Sequence, residues 1–145
     1  MTTPLTNSRV ILYYNGAISA LTLFAQHPGG SICAPSPLPA LASVLEAHEM
    51  IRDTVSIHPA GIVSAVGKLM DLPADLLKAT AGYHEQVDVP NGLITVYLAR
   101  FDLLDPPHQL MAGKGCQLKT LTQLRGQPPA EMELLRRAYT LVMES

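Results

Sequence analysis

Residues Leu93 to Phe101 read LITVYLARF, a run with apolar side chains at both alternating positions. Successive side chains of a strand point to opposite faces, so this run does not suit a sheet with one wet face. It needs cover on both sides, from helices or from another subunit. Pro90-Asn91-Gly92 stands just before it as a turn, with a short strand ending at Val89 ahead of the turn. The segment 87–101 therefore reads as a hairpin.

Its register decides which side chains share a face. With Asn91-Gly92 as a two-residue turn, Pro90 pairs with Leu93 and forfeits a ladder hydrogen bond, about 1 kcal/mol. With Pro90-Asn91-Gly92 as a three-residue loop, each residue suits its position, and this register is the expected one. The two-residue version would gather His84, Gln86, Asp88, Thr95 and Tyr97 into one polar patch. The three-residue version sets Leu98, Val96 and Ile94 opposite the first three, and the patch dissolves.

Elsewhere the signals alternate between strand and helix. Residues 1–8 are polar and expected to fray. Arg9 to Tyr14 (RVILYY) is strand-like and ends at Asn15-Gly16; Ala17 to Gln26 leans to a second strand. His27 to Pro35 (HPGGSICAP) is loop. Ser36-Pro37 opens an expected helix, with Leu38, Leu41, Ala42, Leu45, His48 and Glu49 at helical spacing and an end at Met50 to Asp53. Thr54 to Ile57 suggests a short strand. Pro59 begins a helix striped by Ile62, Val63, Val66, Leu69 and Met70, and Pro73 restarts a helical pattern through Asp75, Leu76 and Leu77 that Gly82 stops. Residues 108–115 have flexible composition, and Cys116 to Leu124 fits strand or helix equally. Pro128-Pro129 opens the last helix, whose Leu134, Leu135, Ala138, Leu141 and Val142 form one apolar seam. Glu133 and Arg137 are spaced for a salt bridge on its wet side. Strands interleaved with helices in 145 residues describe a single α+β domain, a mixed or antiparallel sheet with helices packed on its face.

Charge is scarce. Charged residues are 15% of the chain against 48% hydrophobic, where about 25% charged is ordinary. Part of the folded surface must then be apolar, and apolar patches mark places where something binds. Net charge is −2, with ten Lys and Arg spread along the chain, two Phe and no Trp. Nothing there neutralises a run of phosphates or stacks on bases, which excludes nucleic acid.

The stretch 10–25 resembles the apolar core of a signal peptide, but Asn15, Gly16 and Ser19 interrupt it, and residues 25–27 make a poor cleavage site. It is too short and too polar to span a bilayer. The reading is cytoplasmic, with no membrane partner. Cys33 and Cys116 lack a CxxC partner and are expected to be reduced and semi-buried, with pairing left open by the sequence.

Candidate chemistry is sparse. The five histidines, 27, 48, 58, 84 and 108, show no HxH or HExxH spacing, so no metal is expected. No GxSxG or SxxK elbow occurs. Gly61 to Lys68 departs from a phosphate loop at both ends, and Gly113-Lys114-Gly115 is only an echo of one. Acid–base candidates reduce to Asp102 and Asp105 with His84 and Glu85. Arg136-Arg137 is offset by Glu131, Glu133 and Glu144 on the same helix.

Two functions follow. The first is a self-associating or partner-binding module that buries the strand 93–101 and the last helix against itself or another protein, with no cofactor. The second is a small-molecule-binding protein or hydrolytic enzyme with a pocket near the 84–102 hairpin, drawing on His84, Asp88, Arg100 and Asp102.

Overall fold

The computed structural model describes residues 5–17, 20–50 and 58–144. Two neighbouring strands hold its centre, β1 (Ser8–Asn15) and β6 (Gly92–Phe101), which run parallel with Ser8 opposite Thr95 and Tyr13 opposite Arg100. β2 (Thr22–Gln26) folds back antiparallel on β1, and β7 (Gln117–Lys119) pairs antiparallel with β2. On the far side of β6, β5 (Glu85–Val89) and β4 (Leu77–Ala79) pair in series along the same edge. β3 (Ser43–Val44) closes the sheet against β5, giving the order β3-β5-β6-β1-β2-β7. The sheet is mixed and the domain is α+β.

Alternation along the central strands makes two cores. Val10, Leu12 and Tyr14 of β1, with Tyr97, Ala99 and Phe101 of β6, face one side. Ile62, Val63 and Val66 of α1 (Pro59–Leu69) and Met111 of α2 (His108–Ala112) cover them. Ile11 and Tyr13, with Ile94, Val96 and Leu98, face the other side. Leu134, Leu135, Ala138 and Val142 of α3 (Pro129–Glu144) pack there. The doubly apolar strand is thus covered on both faces by its own chain. The seam of α3 is likewise spent inside the molecule, so neither expected association surface is left bare.

Four expectations are corrected. Segment 36–50 is not a helix: it carries β3 and a 3₁₀ turn at Ala47–Glu49. Ser43 and Val44 instead find strand partners in Asp88 and Val87, and Leu41, at φ 64°, lies outside right-handed helical backbone. The expected end of that helix beyond Met50 and the expected strand 54–57 lie outside the described residues. Residues 75–82 are not helical either, because Leu77, Lys78 and Ala79 find strand partners in Phe101, Arg100 and Ala99. Residues 108–115 contain α2 rather than only loop. Residues 5–8 are anchored: Leu5 packs on the core, and Thr95 N donates to Asn7 O at 2.9 Å.

The hairpin adopts neither weighed register. Val89 pairs with Gly92 and Gln86 with Thr95, so the loop is Pro90-Asn91. The positive φ, 137°, falls on Gly92, which takes it while remaining in the ladder. Proline's fixed negative φ excludes the primed two-residue turns that would place it elsewhere.

Candidate functional site

The observed register assembles much of the polar patch that the favoured register would have dissolved. Gln86 opposes Thr95 and Asp88 opposes Leu93, while the His84 and Tyr97 rings lie 5.8 Å apart. The patch does not make a site with all four predicted residues. Arg100 alternates with Val96 and Leu98 onto the α3 face, opposite to Tyr97. It pairs with Asp102 at 3.4 Å, with side chains 41% and 47% exposed, an ion pair worth under about 1 kcal/mol. His84 and Asp88 are exposed. None of the four lines any of the three cavities described next.

A groove of about 530 Å³ runs beside α3, between Tyr83, Glu85, Arg136 and Arg137. Four of its five charged residues are already paired with one another. Arg137 donates to Glu85 at 2.6 Å, to Glu133 at 2.8 Å and to the Leu45 carbonyl at 2.9 Å. Those bonds dock α3 onto β5 and the 43–46 segment, and Arg136 adds a 3.2 Å bond to Glu133. The Glu133–Arg137 pair was legible in the sequence; its extension to Glu85 was not. A second hollow, about 350 Å³, lies between α1 and β4, with Lys68, Asp75 and Lys78 exposed on its rim.

The third cavity has a different character. A half-open hollow of about 490 Å³ lies between the loop from His27 to Pro37, the end of α1 at Leu69 and Met70, and the turn carrying Lys114 and Cys116. Its walls are mainly apolar with a few polar residues among them, the usual composition of a small-molecule cleft.

Local structure explains how these segments meet. Gln26 pairs with Gln117 across β2 and β7, which carries the neighbouring His27 and Cys116 together. Cys116 Sγ lies 3.4 Å from His27 Nδ1. Gly115 has φ 77°, and a Cβ there would sit 2.9 Å from Pro28 Cγ, so the turn closes on Pro28 only with glycine. On the other wall Ala34 bridges to Val10 by 2.8 and 3.0 Å backbone bonds, and Ala34-Pro35 is cis.

Behind the loop stands a buried carboxylate. Glu131, 4% exposed in the first turn of α3, accepts from Ser31 Oγ at 2.7 Å, Ile32 N at 3.2 Å and Gln127 Nε2 at 2.7 Å. Gln26 Nε2 donates to Gln127 Oε1 and to the Gly30 carbonyl. Three donors and the positive end of a helix compensate the charge's lost water. The network holds the 30–33 loop in place.

Burial keeps the cleft's histidine and its two thiols neutral. Burial lowers the His27 pKa to about 4, and its Nε2 is buried with no hydrogen-bond partner among the described residues. Burial, with the nearby Glu131 charge, pushes the Cys33 thiol up to about 12. Burial also raises Cys116. The cysteines are free thiols, 1% and 3% exposed, which closes the question of their pairing. A neutral thiol beside a neutral imidazole lacks the thiolate that nucleophilic catalysis uses.

Sequence reasoning passed over this place. His27 appeared only among five scattered histidines, Lys114 only in a phosphate-loop echo, and Glu131 only as an offset to arginines. The single hint was the HPGGSIC loop; nothing in the sequence signalled that β7 would bring residue 116 to residue 27. Among the described residues, no group of three His, Cys, Asp or Glu could hold a metal ion, and no helix is long and apolar enough to cross a membrane. No family model matches the chain, and no curated protein matches it.

Proposed function

We propose that the protein binds a small molecule in the cleft between the 27–37 loop, Leu69-Met70 and the 114–116 turn. This keeps the ligand-binding reading of the sequence and moves its pocket away from the 84–102 hairpin. One observation carries it: a cavity of about 490 Å³ walled by Ala34, Pro35, Pro37, Leu69 and Met70, with His27 and Cys116 also in its lining. That volume falls within the roughly 300–1,000 Å³ typical of small-ligand sites. Leu69, 64% exposed, supplies apolar surface that the fold itself does not use. The high-pKa thiols favour binding over covalent chemistry, and unpaired cysteines suit a cytoplasmic setting.

Thermal unfolding with a panel of small apolar and amphipathic compounds tests the reading. Compounds that stabilise the wild type are expected to stabilise Leu69→Asp much less, because the substitution puts a charge on an exposed rim without touching the core. Equal stabilisation of both proteins would contradict it.

Association with itself or another protein is the second reading. Leu41 and Leu104 support it, being 87% and 86% exposed. Leu41 also holds φ 64°, a left-handed conformation that costs a leucine roughly 1–2 kcal/mol. Sedimentation across a concentration series is expected to show self-association that Leu41→Gly reduces; a monomer throughout, with no partner bound, would remove this reading.

A further inference from the structure

We infer that the ligand of this cleft is an amphipathic monoanion, a carboxylate on an apolar body, with Lys114 holding its carboxylate. The inference rests on the cleft being a binding site and adds the chemistry of its occupant. Of the residues that line the cleft, Lys114 is the one Lys, Arg, Asp or Glu.

Its ammonium has one weak ion pair among the described residues. The nearest acid, Asp71, lies 3.8 Å away with its side chain fully in solvent, so water weakens the pair. The lysine's own side chain is only 26% exposed, which makes a carboxylate arriving from within the cleft the less screened partner.

Its position is fixed. Lys114 N donates to Met111 O at 3.0 Å, Gly115 N to Ala112 O at 3.0 Å and Cys116 N to Met111 O at 2.9 Å. Those bonds, with Gly115 pressed on Pro28, keep the lysine's backbone in one place on the rim.

The remaining wall sets the rest of the ligand. Ala34, Pro35, Leu69 and Met70 offer apolar surface, and His27 and Cys116 offer a neutral base. A second cation to share a phosphate dianion is missing from the lining residues, so the charge favoured is a single carboxylate.

Isothermal titration of the full chain with octanoate, octanol and octylammonium tests this, because the three share one apolar body and differ in charge. Octanoate is expected to bind about tenfold more tightly than octanol, as a charge-assisted hydrogen bond allows. Lys114→Gln should bring octanoate to the level of octanol and leave octanol unchanged, while Lys68→Gln, outside the cleft, alters neither. Equal binding of octanoate and octanol by the wild type, or equal losses in both lysine variants, would overturn the carboxylate assignment while leaving the cleft standing. If none of the three probes bound, or if Leu69→Asp left octanol binding intact, the cleft itself would fall, and the carboxylate assignment with it.

Discussion

His27 concentrates the chemistry of the cleft in one side chain. Its ring is held neutral by burial, with a pKa near 4, against about 6.5 in an unfolded chain. The unfolded chain therefore takes up the proton first as pH falls. Stability linked to this histidine is complete above about pH 6.5 and drains away as pH approaches 4. The difference is on the order of 3 kcal/mol. Denaturant unfolding at pH 7 and pH 4.5 is expected to show a drop of this kind, and His27→Gln should shrink it. An undiminished drop in the variant would assign the acid sensitivity to carboxylates. Nothing local in the sequence reveals this role. HPGGS reads as a loop, while the burial that shifts the ring comes from residues 89 positions on, at Cys116.

Elements were legible where local pattern and tertiary need agreed. α1 and α3 carry proline at their starts and apolar stripes at helical spacing, and both formed where expected with Val66, Leu134, Leu135 and Ala138 fully buried. β1 and β6 announced themselves by long, mainly apolar runs. Pattern misled where the partner strand decided. Leu77 fits a helical stripe, yet Phe101 is there to pair with it; Val44 lies inside the segment expected as a helix, yet Val87 claims it. The hairpin formed as expected, but its register differs for a finer reason, since Gly92 serves as the first ladder residue rather than as part of the loop. The two turn glycines differ in a testable way. Gly92 has a positive φ but open space around its absent Cβ, whereas Gly115 has both a positive φ and Pro28 at 2.9 Å. Gly92→Ala is expected to cost about 1 kcal/mol and Gly115→Ala roughly twice that. Chemical denaturation of the two variants checks the order; a smaller loss at Gly115 would mean that the 113–116 turn can move off the loop.

For the molecule as a whole, scarcity of charge turned out to have a partly internal explanation. A mixed sheet covered on both faces consumes apolar residues on two cores rather than one, and strand 93–101 with helix α3 is absorbed in that way. What remains outside is limited among the described residues to scattered side chains such as Leu41, Leu69 and Leu104. The concave end bounded by residues 27–37, 69–70 and 114–116 gathers apolar surface with groups held neutral, and it lies apart from the hairpin residues His84, Asp88, Arg100 and Asp102. Amide chemical-shift mapping of the labelled protein during titration with octanoate tests this placement most directly. Shifts are predicted at Ala34, Leu69, Met70, Lys114 and Cys116, with the amides of the 84–102 hairpin unmoved. Shifts centred on that hairpin, or no saturable shifts anywhere, would contradict the account.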